Sequence, residues 1–286
     1  MRNNYRLFVL TGFFIASSFF SSQTLAAESE KQGFDYSDLA DALKINVDNA
    51  GMVNYKNLKA QSEKLRVFIT ELRNLDRKDF DKWDDNAKIA FWLNAYNALT
   101  LKAIIDNYPI KSSFFKSRIY PKNSIRQIAG VWDKINFKVM GQNLTLGHIE
   151  HKILRVKFDE PGIHVAMVCA AMGCPPLRNE PYTADKLQEQ LDDQTRRFLA
   201  NPAKFKIARA DDRIYLSPIF KWFAADFIKK YGPKKSIGRH DKEESAVLNF
   251  IASYLDKAQK EYVLAGKFKI KYLKYDWSLN EQQTKK

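Results

Sequence analysis

Apolar residues recur at steps of three and four along much of this chain, and the strongest run lies between Asp84 and Pro109. Ile89, Trp92, Leu93, Tyr96, Thr100, Ala103 and Ile104 share one helical face. Ala90, Phe91, Ala98, Leu101 and Ile105 widen that face until only Lys88, Lys102 and Asp106 mark a wet side. The pattern predicts a mostly buried central helix over about 85–106, capped by Asp84 or Asp85 and ended before Pro109. Asn94 and Asn97 project away from the wet side. A buried amide without partners costs about 1 to 3 kcal/mol, so polar groups are expected to meet both inside.

Helix-like spacing also covers 36–45 and 58–75, the second through Leu58, Leu65, Ile69 and Leu72. Phe137, Val139, Leu144 and Leu146 alternate with polar positions around Met140-Gly141-Gln142-Asn143, the pattern of a hairpin. A short helix is expected over 147–157, then a buried strand over 163–169. Further helices are expected over 184–200, 217–230 and 243–259. A second hairpin pairs 205–208 with 213–216, and Phe268, Ile270 and Tyr272 alternate with Lys269 and Lys271 as a last strand. Mixed helices and hairpins give an α+β fold: a mixed or antiparallel sheet with two hairpins, packed against several helices. No repeat or linker divides the chain, so residues 28–286 are expected to form a single domain.

The N-terminus changes the picture of where the chain works. Arg2 and Arg6 precede an apolar run, Leu7 to Phe20, and small residues follow up to Ala26-Ala27. This is the pattern of a secretory signal peptide, residues 1–27. The run is shorter than the about 20 residues of a membrane span, so no integral membrane protein is expected after cleavage near Ala26/Ala27. A periplasmic or secreted location follows. The formal net charge is +14, and removing Arg2 and Arg6 leaves about +12. Such a charge favours an anionic envelope component as partner: a lipid head group, a cell-wall polymer or an acidic peptide. Export argues against nucleic acid.

Candidate chemistry gathers in one region. The two cysteines, Cys169 and Cys174, stand five apart in HVAMVCAAMGCPPL, and three of the four histidines (His148, His151 and His164) lie just upstream. One reading makes Cys169 a nucleophile at the end of a buried strand, with a small-residue turn behind it. His151 is then the preferred base and Glu150 its helper, with Asn94, Asn97, His164 and Arg155 in support. In a regular strand His164 faces away from Cys169. His240 sits among Lys and Gly residues, which favours the surface. The competing reading is a Cys169–Cys174 disulfide, since exported cysteine pairs are oxidised. Closing so short a loop contributes about 2 kcal/mol in the chain-entropy view. The spacing of HIEH lacks the frame of a zinc motif, and neither a metal nor a cofactor is expected.

Four separated stretches carry a resemblance: WLNAYNALT (92–100), LTLGHIEHKILR (144–155), HVAMVCAAMGCPPL (164–177) and YDWSLN (275–280). Together, in this order, they resemble the domain of unknown function family numbered 547, most densely over about 83–199. The resemblance implies an exported bacterial member. It implies shared positions at Trp92, Asn94, Tyr96, Asn97, Glu150, His151, Arg155, His164, Cys169, Cys174, Pro175 and Leu177, then Asp276, Trp277 and Asn280. Relatives often carry serines between the cysteines, where this chain has Ala171-Met172-Gly173. No substrate follows. Three readings therefore stand side by side: a cysteine-dependent hydrolase or acyl transferase, a non-catalytic binding module stiffened by a disulfide, and a purely structural polar network.

Overall fold

The central helix forms as the pattern predicts. In the computed structural model, which describes Met1 and residues 33–283, it runs Asp85–Asn107, and the Asp84 side chain caps it by accepting from Ala87 N–H at 2.7 Å. Every residue from Ile89 to Leu101 is buried. Helices Ser37–Asn46, Tyr55–Ala60 and Glu63–Asn74 pack around it, as does the short helix Arg77–Asp81. The expected signal peptide lies outside the described residues.

The strands are few and short. β1 (Phe137–Val139) and β2 (Gln142–Leu144) form the first hairpin, with Phe137 opposite Leu144. Its turn is tighter than the sequence implied. Met140 and Gly141 both take positive φ, 48° and 73°, which closes a two-residue turn and leaves Gln142 and Asn143 to the strand. β3 (Phe205–Ala208) and β4 (Arg213–Leu216) form the second hairpin. β5 (Lys269–Tyr272) adds to β4 in parallel, so the second sheet is mixed. The fold is α+β, as expected.

Two apolar cores result. The first surrounds the central helix; the second joins β3, β4 and β5 to Phe220, Phe227, Phe250 and their neighbours. The segment 161–169 runs between them: Ile163 packs in the first core and Val165 in the second. This segment is not the strand that its apolar run suggested. It is a 3₁₀ helix, Pro161–Val165, started by Pro161 and by the Glu160 carboxylate, which accepts from Gly162 N–H at 2.9 Å. A short apolar run buried on all sides reads alike as strand or helix, and no strand of the described residues pairs with it.

Three long helical predictions break for local reasons. Asn54 caps Tyr55–Ala60 and a turn at Gln61 separates it from Glu63–Asn74. Asp256 caps a new helix, Lys257–Ala265, after Lys242–Ala252 ends. The stretch 217–230 divides into Ile219–Trp222, a 3₁₀ turn Ala224–Phe227, and Ile228–Tyr231. That last break matters most, because it turns Phe223 and Asp226 toward the segment 151–164.

Candidate functional site

A cleft of about 370 Å³ opens at the seam of the two cores. The central helix contributes Tyr96. The stretch after β2 contributes Glu150 and His151, the segment between the cores His164, Met167 and Cys169, and the broken helix Trp222 and Phe223. Tyr275 and Trp277 come from the C-terminal tail, and Arg126 and Trp132 complete the rim.

Glu150 and His151 are placed by a local irregularity. Thr145 caps Leu146–His148 by accepting from His148 N–H at 3.1 Å, and the chain then widens into a π-helical segment, Ile149–Leu154. Glu150 is 8% exposed, whereas the His151 side chain is half exposed. Tyr96 donates its hydroxyl proton to Glu150 Oε2 at 3.1 Å. Burial, reinforced by the Glu150 charge, holds the Tyr96 hydroxyl far above its ordinary pKa. Arg155 Nη1 donates to His151 Nδ1 at 3.0 Å. Because arginine only donates, that contact fixes the His151 proton on Nε2 in the neutral ring. His148 does not join His151: it lines a separate depression with Lys152 and Phe158. Among the described residues no group of three His, Cys, Asp or Glu is placed to hold a metal ion.

His164 enters the cleft because its segment is a 3₁₀ helix, which overturns the strand argument that turned it away from Cys169. Its ring stacks on Phe223 at 4.3 Å and is 2% exposed. Nε2–H donates to Asp226 Oδ2 at 2.8 Å, and Nδ1 has no hydrogen-bond partner among the described residues. Burial pushes the imidazole below its ordinary pKa against the opposing pull of Asp226, so the ring is neutral near pH 7. Asp226 also takes a fork from Arg155, Nε to Oδ2 at 2.6 Å and Nη2 to Oδ1 at 3.0 Å. Burial opposes ionisation of Asp226, yet the hydrogen bonds from His164 and Arg155 outweigh it and hold the carboxyl well below the usual range. Nothing in the sequence singles out Asp226, which sits in a stretch that reads as ordinary amphipathic helix.

Cys169 and Cys174 lie at disulfide distance, their Cα atoms 6.3 Å apart. Cys169 is partly exposed to the cleft and Cys174 is buried. Cys169 N–H points at Cys174 Sγ, 3.0 Å away. The Tyr275 hydroxyl lies 3.3 Å from one sulfur and 3.0 Å from the other. Burial raises the Tyr275 pKa, so the hydroxyl keeps its proton and donates toward the paired sulfurs. The back of the loop is held too. Lys204, 5% exposed, donates to the Met172 carbonyl, and burial lowers its pKa to about 8.

The two amides of the central helix have other work. Asn94 donates to Tyr182 O at 2.7 Å and accepts from Tyr182 N–H at 2.9 Å. Asn97 donates to Ala166 O at 3.1 Å and accepts from Val168 N–H at 2.9 Å. Each amide thus replaces a strand neighbour for a buried backbone segment. Neither lines the cleft, and the partners of both amides are backbone groups rather than the imidazole. Arg155 acts one step away, through Asp226 and His151. His240, expected at the surface, is 5% exposed against Phe268, with Nδ1 3.1 Å from Glu244.

Arg126 is the charged group at the cleft that the sequence reading left out. Its guanidinium lies 4.5, 5.4 and 4.9 Å over the rings of Tyr120, Trp132 and Trp277, and Nη2 donates to the Tyr120 hydroxyl at 2.5 Å. It makes no ion pair with the described residues. An arginine four residues from Lys122 in a basic stretch carries no sequence signal of its own.

Chemically the cleft combines aromatic walls with one carboxylate, two imidazoles, a cation and a covered sulfur pair. Comparison with curated proteins and with solved structures gives no match. Residues 80–199, which carry Tyr96, Arg126, Glu150, His151, His164 and both cysteines, match the model of the family described as protein of unknown function, DUF547.

Proposed function

We propose that this chain is a binding module of the cell envelope whose aromatic cleft takes a small organic anion. The observation that carries the reading is Arg126: a guanidinium held by three rings at the rim of a cleft, with no carboxylate of the described residues paired to it. A planar cation fixed in this way is prepared for a carboxylate or phosphate. Trp222, Tyr275 and Trp277 offer flat apolar surface for the body of the ligand, and Glu150 accepts a hydrogen bond from it. The sulfur pair, covered by Tyr275, serves as a rigid floor. The signal-like N-terminus supports a periplasmic or secreted location, where cell-wall fragments, lipid head groups and acidic peptides supply such anions. Residues 28–286 act as one domain in this reading.

The test is tryptophan fluorescence of the protein titrated with soluble cell-wall fragments, glycerophosphate head groups and short acidic peptides. One class is expected to bind, and Arg126→Met to weaken it about tenfold or more. Absence of binding by all three classes at millimolar concentration overturns the reading, as does equal binding by the variant.

A second reading rests on Asp226. It holds His164 with Nε2 protonated and Nδ1 free, in the cleft that Cys169 also lines. That is the base-and-orienter half of a cysteine hydrolase or acyl transferase. It requires Cys169 as a thiol. Alkylation of the protein with and without reductant decides: failure of Cys169 to react after reduction rules the second reading out.

A further inference from the structure

The stretch 107–132 contains no Asp or Glu and five basic residues, Lys111, Lys116, Arg118, Lys122 and Arg126. Within it Phe114, Phe115 and Ile119 are exposed to 71, 76 and 76%. They are held outward by an ordered loop. Gln127, 6% exposed, accepts from Ser113 N–H at 3.0 Å and donates to Pro121 O at 3.0 Å. Lys116 Nζ donates to Arg126 O at 3.2 Å, and Tyr120 N–H to Lys116 O at 2.8 Å. The polar groups of the loop are thus satisfied inward while its large apolar side chains face water. Phe114 and Phe115 meet edge-on at 5.6 Å, with the Arg118 guanidinium 4.9 Å over Phe114.

We propose that loop 111–122 is an interfacial anchor. It dips Phe114, Phe115 and Ile119 into the head-group layer of an anionic phospholipid bilayer and sets Lys111, Arg118 and Lys122 against lipid phosphates. Clustered apolar groups on a surface mark an interaction site, and the surrounding charge selects its partner. A second copy of this chain would bring the same cations face to face. An anionic bilayer offers apolar depth and negative charge together, the combination that holds basic amphipathic segments at membranes. Among the described residues no helix is long and apolar enough to cross a membrane, so the contact proposed is peripheral. Within the loop Tyr120 also accepts from Arg126 at the cleft rim, but the anchor stands independently of what the cleft binds.

Co-sedimentation of the full chain with vesicles tests the anchor. Relative to vesicles of phosphatidylcholine alone, mixed phosphatidylglycerol vesicles are expected to retain the protein. F114S/F115S/I119S should lower that retention about tenfold, and K111Q/R118Q/K122Q should remove its salt dependence. Leu7 to Phe20 is itself apolar, so depth is also read locally, from a nitroxide on Ser112→Cys attached without reductant. With anionic vesicles the label should gain contact with oxygen and lose contact with a polar nickel relaxant. The three apolar side chains are exposed, so the serine variant should keep the wild-type melting transition. A label that stays in water on vesicle-bound protein overturns the proposal. So does wild-type retention of the serine variant, or a label buried by self-association without lipid.

Discussion

Asp226 ties His164 and Arg155 together, and its charge state is expected to weigh on stability in acid. Its carboxyl is held low by His164 and Arg155 against the cost of burial. The stabilisation is therefore complete above the unfolded value of about 3.9 and is lost as pH falls through it toward the lower folded value. His164 adds to the loss. Burial lowers its pKa, so stability also falls as pH drops below the unfolded 6.5, where only the unfolded chain takes the proton readily. Asp226→Asn is expected to cost roughly 2 to 3 kcal/mol at neutral pH and to flatten the decline below about pH 4. Urea unfolding from pH 3 to 7 measures both, and unchanged neutral stability contradicts the account. Gly173 is the other sensitive position. A Cβ there would lie 2.7 Å from ring atoms of Tyr275. Gly173→Ala should push Tyr275 off the sulfurs and speed reduction of the pair by dithiothreitol severalfold, read by alkylation and mass. None of this was visible in sequence: Asp226 reads as a helix-surface acid, and Tyr275 as one of many aromatics beside a recognisable Asp-Trp pair.

Among the elements, the central helix was the most legible and the segment 161–169 the least. The helix carries its signal within itself, in an apolar pattern so wide that burial all round was the direct consequence. Its two amides announced that something polar waited inside, and the backbone of Tyr182, Ala166 and Val168 is what they meet. The segment 161–169 has no such internal signal. Its shape depends on Asn97, which supplies the bonds that a neighbouring strand would otherwise supply. Asn97→Ala leaves one buried N–H and one buried carbonyl unpaired and should cost about 2 to 4 kcal/mol. Hydrogen exchange checks it: the Val168 amide should lose protection well before the amides of 91–101 do. Equal protection in the variant would show that the clamp is dispensable. The π-helical widening at Ile149–Leu154, which carries buried Glu150 and half-exposed His151, was likewise beyond a 3.6-residue period.

For the whole molecule, the matched family span and the cleft do not coincide. Residues 80–199 hold both cysteines and three of the four histidines, but the cleft residues Trp222, Phe223, Tyr275 and Trp277, and Asp226 behind His164, come from outside that span. The tail is also structural. Asn280 accepts from the Tyr55 hydroxyl at 2.6 Å, its carbonyl accepts from Val53, and Leu279 bridges to Ala171. An isolated 80–199 fragment should therefore fail to fold, and circular dichroism with a shallow, non-cooperative melt would show it. A sharp melting transition in the fragment would contradict this division of labour. What the sequence by itself determined was local: helix periods, hairpin alternation, the α+β class, and the stretches in which polar chemistry gathers. Those follow from neighbours within a few residues, where spacing along the chain equals placement on one face. The tertiary structure alone decided which groups meet. Asp226 reaches His164 across 62 residues and Tyr275 reaches Cys169 across 106, distances over which only the packing of two cores fixes who touches whom.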